Sequence, residues 1–298
     1  MSLTINHNLL AANTARNLTS SYSALSTSTE RLSSGLRVNT AADDAAGLAI
    51  REIMRAEISS LNQGVRNAND AISMIQTADG ALGVIDEKLI RMKELAMQAA
   101  TGTYSSDQRL IIDSEYQAMA SEITRIAKAT DFNGIHLLNG HLSGTDSSHN
   151  GAGLEASGPM KIHFGTSNDS NEDYYYVSID SATASSLGIG LGASGTNGRS
   201  ISTQELAQQA LKALDNAIIS KDKIRAHLGA LQNRLENTIT NLTIQSENTS
   251  AAESQISDVD VATEMTEFTR QQIKVQTAVA MLSQANSLGK LALQLIGG

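Results

Sequence analysis

The side chains able to do acid–base or metal chemistry are few, and their spacing does not assemble a site. The six histidines are His7, His136, His141, His149, His163 and His227. None forms an HExxH motif or a helical i, i+4 pair, the arrangements that bring two imidazoles onto one metal. His141 and His149 fall in a Gly/Ser-rich stretch that reads as loop. Asp43 and Asp44 are adjacent carboxylates, the residue type of general acid–base catalysis. The commoner use of such a pair is to start a helix, where negative charge meets the free N–H groups of the first turn. Asp86, Glu87 and Lys88 read as a solvated helix face. Gly188 to Gly195 is glycine-rich but lacks the strand-to-helix context of a phosphate cradle. There is no Cys, so disulfides and thiol catalysis are excluded. The expectation is a protein that is not an enzyme and holds no cofactor or metal.

What these residues lack in chemistry, the elements around them show in periodicity. Ala11, Ala15, Leu18, Tyr22, Leu25, Thr29, Leu32 and Leu36 step alternately by four and three, the seam of a coiled coil. Val261, Met265, Phe268, Gln272, Val275, Val279 and Leu282 repeat that spacing near the other end. There the seam slips to Ala278, Met281, Ala285, Leu288, Ala292 and Leu295. Neither stripe can bury itself, so an antiparallel pair of terminal helices is expected. Between them lies a helix from about Asp44 to Ala100. Its stripe runs from Ile50 through Leu61, Ile75, Leu82 and Leu89 to Ala99, with Asp79 its one polar member. At 1.5 Å per residue it would be about 85 Å long. Ser105 or Ser106 caps a helix to Thr130. Asn133-Gly134 and Asn139-Gly140 are turn signals. Met160 to Phe164 and Tyr174 to Ile179 are strand candidates within a Gly/Ser/Asn-rich surface excursion. Ser202 with Glu205 reads as a capping box that opens another helix, to about Thr249. A joint falls in the stretch Ser34 to Ile50, and a polar joint at Ser250 to Asp260 mirrors it.

The fold class expected is mainly α: an elongated rod of long antiparallel helices with terminal coiled-coil helices and a small β-rich excursion. Three regions follow. Residues 1–43 with 255–298 form a terminal coiled-coil domain, and 44–140 with 201–254 a helical rod. Residues 141–200 form a short variable region. Aromatics are 3% of the chain and there is one Pro, so a narrow seam of small residues fits better than a thick core. The net charge of −9 argues against a nucleic-acid partner. No apolar run reaches membrane-spanning length, so no membrane partner is expected. The N-terminus lacks the pattern of a cleaved secretory signal.

Ser33 to Ile50, SSGLRVNTAADDAAGLAI, resembles the N-terminal signature of bacterial flagellin. The stretches INHNLLAANTARNL, RMKELAMQAATGTYSSDQR, DFNGIHLL and ISDVDVATEMTEFTRQQIKVQTAVAMLSQAN are similar too. The resemblance covers about residues 1–140 and 200–298, so the chain looks like a short form with reduced outer domains. It implies a subunit that self-assembles into the helical homopolymer of the flagellar filament and serves swimming motility. Extracellular location, without a cleaved signal, follows from the same resemblance. It implies as partners the flagellar export apparatus, a flagellin export chaperone, and the filament cap and hook–filament junction proteins. The filament-core seam would comprise Leu18, Tyr22, Leu25, Leu32, Leu36, Met265, Phe268, Val275, Val279 and Leu282. The resemblance also implies recognition by Toll-like receptor 5 through Arg91, Leu95 and Glu115, all three expected off the inward stripe. The alternative is a hook–filament junction-type adaptor, which would match Ser33–Ile50 poorly. A catalytic insert is disfavoured because the excursion is short and has no metal-ligand set.

Overall fold

A computed structural model describes residues 8–143, 158–169, 172–189 and 200–296, with side chains to Ser287 at the C-terminal end. His7, His149 and Gly190 to Gly195 lie outside the described residues, as do the side chains of Leu288, Ala292 and Leu295. Among the described residues the chain is mainly α, as expected. The helices are α1 (Leu9–Ser34), α2 (Ala45–Ala100), α3 (Ser106–Ala129), α4 (Gln204–Ser257) and α5 (Val261–Ile296). The strands are β1 (Asp131–Phe132), β2 (Ile135–His136), β3 (Met160–His163) and β4 (Tyr174–Val177), in two antiparallel pairs. The chain divides into two compact units, residues 1–58 with 247–298 and residues 59–246. The division falls inside α2 and α4 rather than at the polar joints.

In the first unit, local chemistry sets both ends of α1. The Asn8 side chain accepts the Ala11 N–H at 2.9 Å, and Gly35 ends the helix with φ 73°. That left-handed turn is open to glycine at little cost. Helix α1 packs antiparallel on α5: Asn8 Nδ2 donates to the Ala285 carbonyl at 2.9 Å, and Arg31 lies 3.8 Å from Glu264 at the other end. The two joints meet as backbone. Arg37 N–H donates to Ser257 O at 2.6 Å, Val259 N–H to Gly35 O at 3.0 Å, and Leu36 bridges Asp258. Buried Arg51 ties α2 to the loop through the Val38 carbonyl at 2.7 Å. Of the two expected helix-start carboxylates, only Asp44 meets the first turn of α2; Asp43 turns back to the preceding loop. Asp43 accepts the N–H groups of Asn39 and Thr40, and Asp44 accepts that of Gly47 at 2.9 Å. The Thr40 N–H holds the Asp43 carboxyl below its ordinary range.

In the second unit, one buried cluster joins α2, α3 and α4, including Leu82, Leu89, Met92, Tyr116, Ile123, Leu214 and Leu228. Ser105 is the cap of α3, in a reciprocal box with Gln108. Asn133 at φ 52° and Gly134 at φ 81° form the two-residue turn between β1 and β2. Two expectations fail here. The cap of α4 is Thr203, whose hydroxyl accepts the Leu206 N–H at 3.3 Å, not Ser202. The Ile201 N–H donates to Asp113 at 2.6 Å just before the cap, and the helix starts one residue later than expected. Nor does α4 stop near Thr249; it continues to Ser257, and the joint shrinks to Asp258–Asp260.

The β region is not a detached surface excursion. Phe164, Val177, Ile179, Ala182, Leu187 and Ile189 belong to the same buried cluster as the helices. Gly64 makes this possible. A Cβ there would come 2.0 Å from the Phe164 carbonyl oxygen, so only glycine lets the strand end lie on α2. Asn67 Nδ2 donates to His163 O at 2.8 Å beside it, and Arg234 of α4 stacks 3.5 Å over the Tyr175 ring.

Candidate functional site

The terminal pair decides which stripe is inward. Leu18, Leu25, Leu32, Phe268, Val275 and Leu282 all face the partner helix as half-buried or buried residues. The positions between them differ from the sequence reading. Thr14, Ser21 and Ser28 complete the α1 row, and Glu264, Gln271 and Ala278 complete that of α5. Tyr22 is instead 54% exposed, Met265 47% and Val279 49%, and Leu36 lies beyond the helix in the joint. On α1 the inward row takes Ser21 and Ser28 in place of Tyr22 and Thr29, and on α5 it takes Gln271 in place of Gln272. Apolar surface is left over. Val261, Met265, Ile273, Val279 and Met281 on α5, with Leu9, Leu10 and Tyr22 on α1, remain exposed. At 3.6 residues per turn the α5 residues flank both sides of the buried row and also lie opposite it. They stand among exposed Thr, Gln, Arg and Lys side chains, so the uncovered surface of α5 is mixed, with apolar residues on each side of the buried row.

The three recognition candidates separate. Arg91 of α2 and Glu115 of α3 meet: Arg91 Nε and Nη2 both donate to Glu115 Oε1, at 3.0 and 2.9 Å. Arg91 Nη1 also reaches Glu94 at 3.0 Å. Glu115, then Glu94, raises the guanidinium pKa above its ordinary value, so the group is a fixed, exposed cation inside an acidic clasp. Leu95 does not join them. It is 2% exposed and sits in the core. The expectation that it lies off the inward stripe is therefore wrong. Leu95 is three residues after buried Met92 and four before buried Ala99, so it shares their face. A stripe drawn one residue wide misses it.

An ion ladder between α2 and α4 also escaped sequence reading. Arg225 pairs with Asp79 at 2.7 Å and Lys93 with Asp215 at 2.6 Å. Lys221, 2% exposed along its side chain, reaches Asp86 at 2.6 Å and Asp222 at 2.7 Å. Asp86 is thus a partner of a buried lysine rather than part of a freely solvated face. Burial opposes the Lys221 charge, but Asp222 and Asp86 outweigh it and hold the amine above its ordinary pKa. Arg225 holds the Asp79 carboxyl below its ordinary range. The one polar member of the α2 stripe was the available signal: an acidic residue on an inward face needs a cation opposite.

The histidines remain dispersed. His163 stacks on Tyr174 with centroids 6.0 Å apart, and His136 sits half-buried on β2. His227 lines a polar cleft of about 550 Å³ with Lys223, Asp180 and several serines. Among the described residues no group of three or more His, Cys, Asp or Glu could hold a metal. None of their helices is long and apolar enough to cross a membrane.

Terminal helices paired antiparallel through a narrow row, with a second apolar face unmet, define a helical subunit of an assembly. The bacterial flagellin N-terminal helical region matches residues 5–143, and the C-terminal helical region matches residues 211–296. Flagellin of Bacillus subtilis (strain 168) is 41% identical over 98% of this chain and 99% of its own length. The flagellar filament 33 kDa core protein of Treponema phagedenis is 39% identical over the same shares. Among solved structures, crystalline Bacillus cereus flagellin is 30% identical over 63% of this chain and 94% of its own, at TM-score 0.47. The chain belongs to the bacterial flagellin family, whose members are structural subunits of the flagellar filament.

Proposed function

We propose that copies of this chain polymerise by covering the outward apolar face of the α1–α5 pair, and that the filament so formed drives swimming. The observation that carries this is the set of apolar side chains that α1 leaves exposed on α5: Val261, Met265, Ile273, Val279 and Met281. In this reading residues 1–43 and 255–298 form the innermost layer. Residues 44–140 and 201–254 form the next, and residues 141–200 face outward. Contacts of this kind are heterologous and do not close, so they propagate a helix. Family membership supports delivery by the flagellar export apparatus with a chaperone, and contact with the cap and the hook–filament junction. Seeding purified monomer with filament fragments tests the reading by electron microscopy. Long filaments are expected; short rings alone would favour the junction-type adaptor.

The monomer also serves as a ligand of Toll-like receptor 5. Support comes from the exposed Arg91–Glu115 clasp, an arginine presented with its geometry already set. Leu95 contributes from beneath by packing, not by contact. Receptor reporter activation by depolymerised protein is the measurement. Arg91→Ala should weaken the response about tenfold or more, as for an interface hot spot. Equal responses would refute the assignment.

A further inference from the structure

With no cysteine in the chain, methionine is its only sulfur able to respond to an oxidant. Its placement is uneven. Met74 and Met92 are buried, and Met54, Met119 and Met160 are half-buried. Met97 of α2 and Met265 and Met281 of α5 are the exposed ones among the described residues. Met265 and Met281 lie on opposite flanks of the row that α5 buries against α1, at 47% and 54% exposure. Met265 also forms one wall of a shallow groove with Ile273 and the stems of Arg270 and Lys274.

We propose that Met265 and Met281 are oxidation sites through which peroxide controls polymerisation of this chain. The inference rests on the reading that other copies cover the outer face of α5. The thioether sulfur attacks one oxygen of the peroxide. The O–O bond breaks and an S–O bond forms as the sulfur gives up an electron pair. The other oxygen leaves as water with both protons. The product is a sulfoxide, polar and a strong acceptor, where the apolar face needs a flexible apolar side chain. Covering it in a dry contact leaves that oxygen without a donor, which opposes assembly. The same contact shields unoxidised sulfur, so a formed filament resists and a free subunit responds. Reduction by methionine sulfoxide reductases restores the thioether.

The test uses full-length protein as monomer and as filament, each treated with hydrogen peroxide. Peptide mass spectrometry follows each methionine, with buried Met74 and Met92 as slow internal references. Seeded assembly of the treated monomer is followed by sedimentation. Met265 and Met281 should oxidise several-fold faster in monomer than in filament. Treated monomer should lose seeded growth and regain it after enzymatic reduction. The variant Met265→Leu/Met281→Leu should keep growing after the same treatment. Equal oxidation rates in both states, or full growth by monomer oxidised at both positions, would overturn the proposal. So would a leucine variant that assembles untreated yet loses growth as the parent does. If that variant does not assemble at all, the rate comparison on the parent still decides. Untreated parent that never extends seeds would instead defeat the assembly reading.

Discussion

Lys221 carries a charge into the α2–α4 interface with its side chain 2% exposed. Its carboxylate partners keep contact with solvent, so they tolerate its loss better than it would tolerate theirs. Lys221→Ala removes the pair and leaves a space. It should lower stability by about 2 kcal/mol in urea titrations. Lys221→Met fills that space without a buried charge and should cost clearly less; an equal cost would show that packing plays no part. Asp79 gives a pH signature. Its carboxyl is depressed by the Arg225 guanidinium, so its contribution is complete above the ordinary value of about 3.9 and is lost as pH falls through the lower folded value. The stability gap between parent and Asp79→Asn, measured by urea unfolding, should be open at neutral pH and narrow below about pH 4.

Within α2 two glycines make opposite predictions. At Gly64 a Cβ would meet the Phe164 carbonyl oxygen at 2.0 Å, a backbone atom that cannot turn aside. Gly64→Ala should therefore cost about 2 kcal/mol or more by pushing β3 off the helix. At Gly80 nothing lies within 4 Å and the backbone is helical, so Gly80→Ala should stabilise the monomer by about 0.5–1 kcal/mol. Thermal unfolding of the two variants beside the parent checks both signs. The depth of the β region bears on deletion as well. Removing residues 143–199 would strip Phe164, Ile179 and Leu187 from the cluster that covers α2 and α4. Such a deletion should lower the melting temperature even where filaments still form.

For the whole chain, the second unit has its own core and the first has only a narrow row. A fragment of residues 59–246 should unfold cooperatively, because its buried cluster lies entirely within it. It should not extend filament seeds, because it lacks the α1–α5 face. Leu25→Asp in the full chain places a charge in the row between the terminal helices and should abolish seeded growth. Circular dichroism and sedimentation separate the two properties; a fragment that grew native filaments would contradict the assignment.

The sequence by itself determined the order of the helices, the antiparallel pairing of the terminal pair, the Asp44 start of α2 and the family. Each rests on short-range periodicity, capping chemistry or a contiguous motif, which a string of residues carries complete. It did not determine which of two overlapping rows turns inward. Leu18, Leu25 and Leu32 belong to both rows, and the choice between Tyr22 and Ser21 beside them depends on how closely α5 approaches. Leu95 went inward because the covered face of α2 is wider there than one stripe. Asp86 found Lys221 across 135 residues of chain, and Phe164 found the gap left by Gly64 from beyond two helices. Such matches depend on the register between distant segments. Register is set by the packing of the whole unit, and no local pattern in the sequence encodes it.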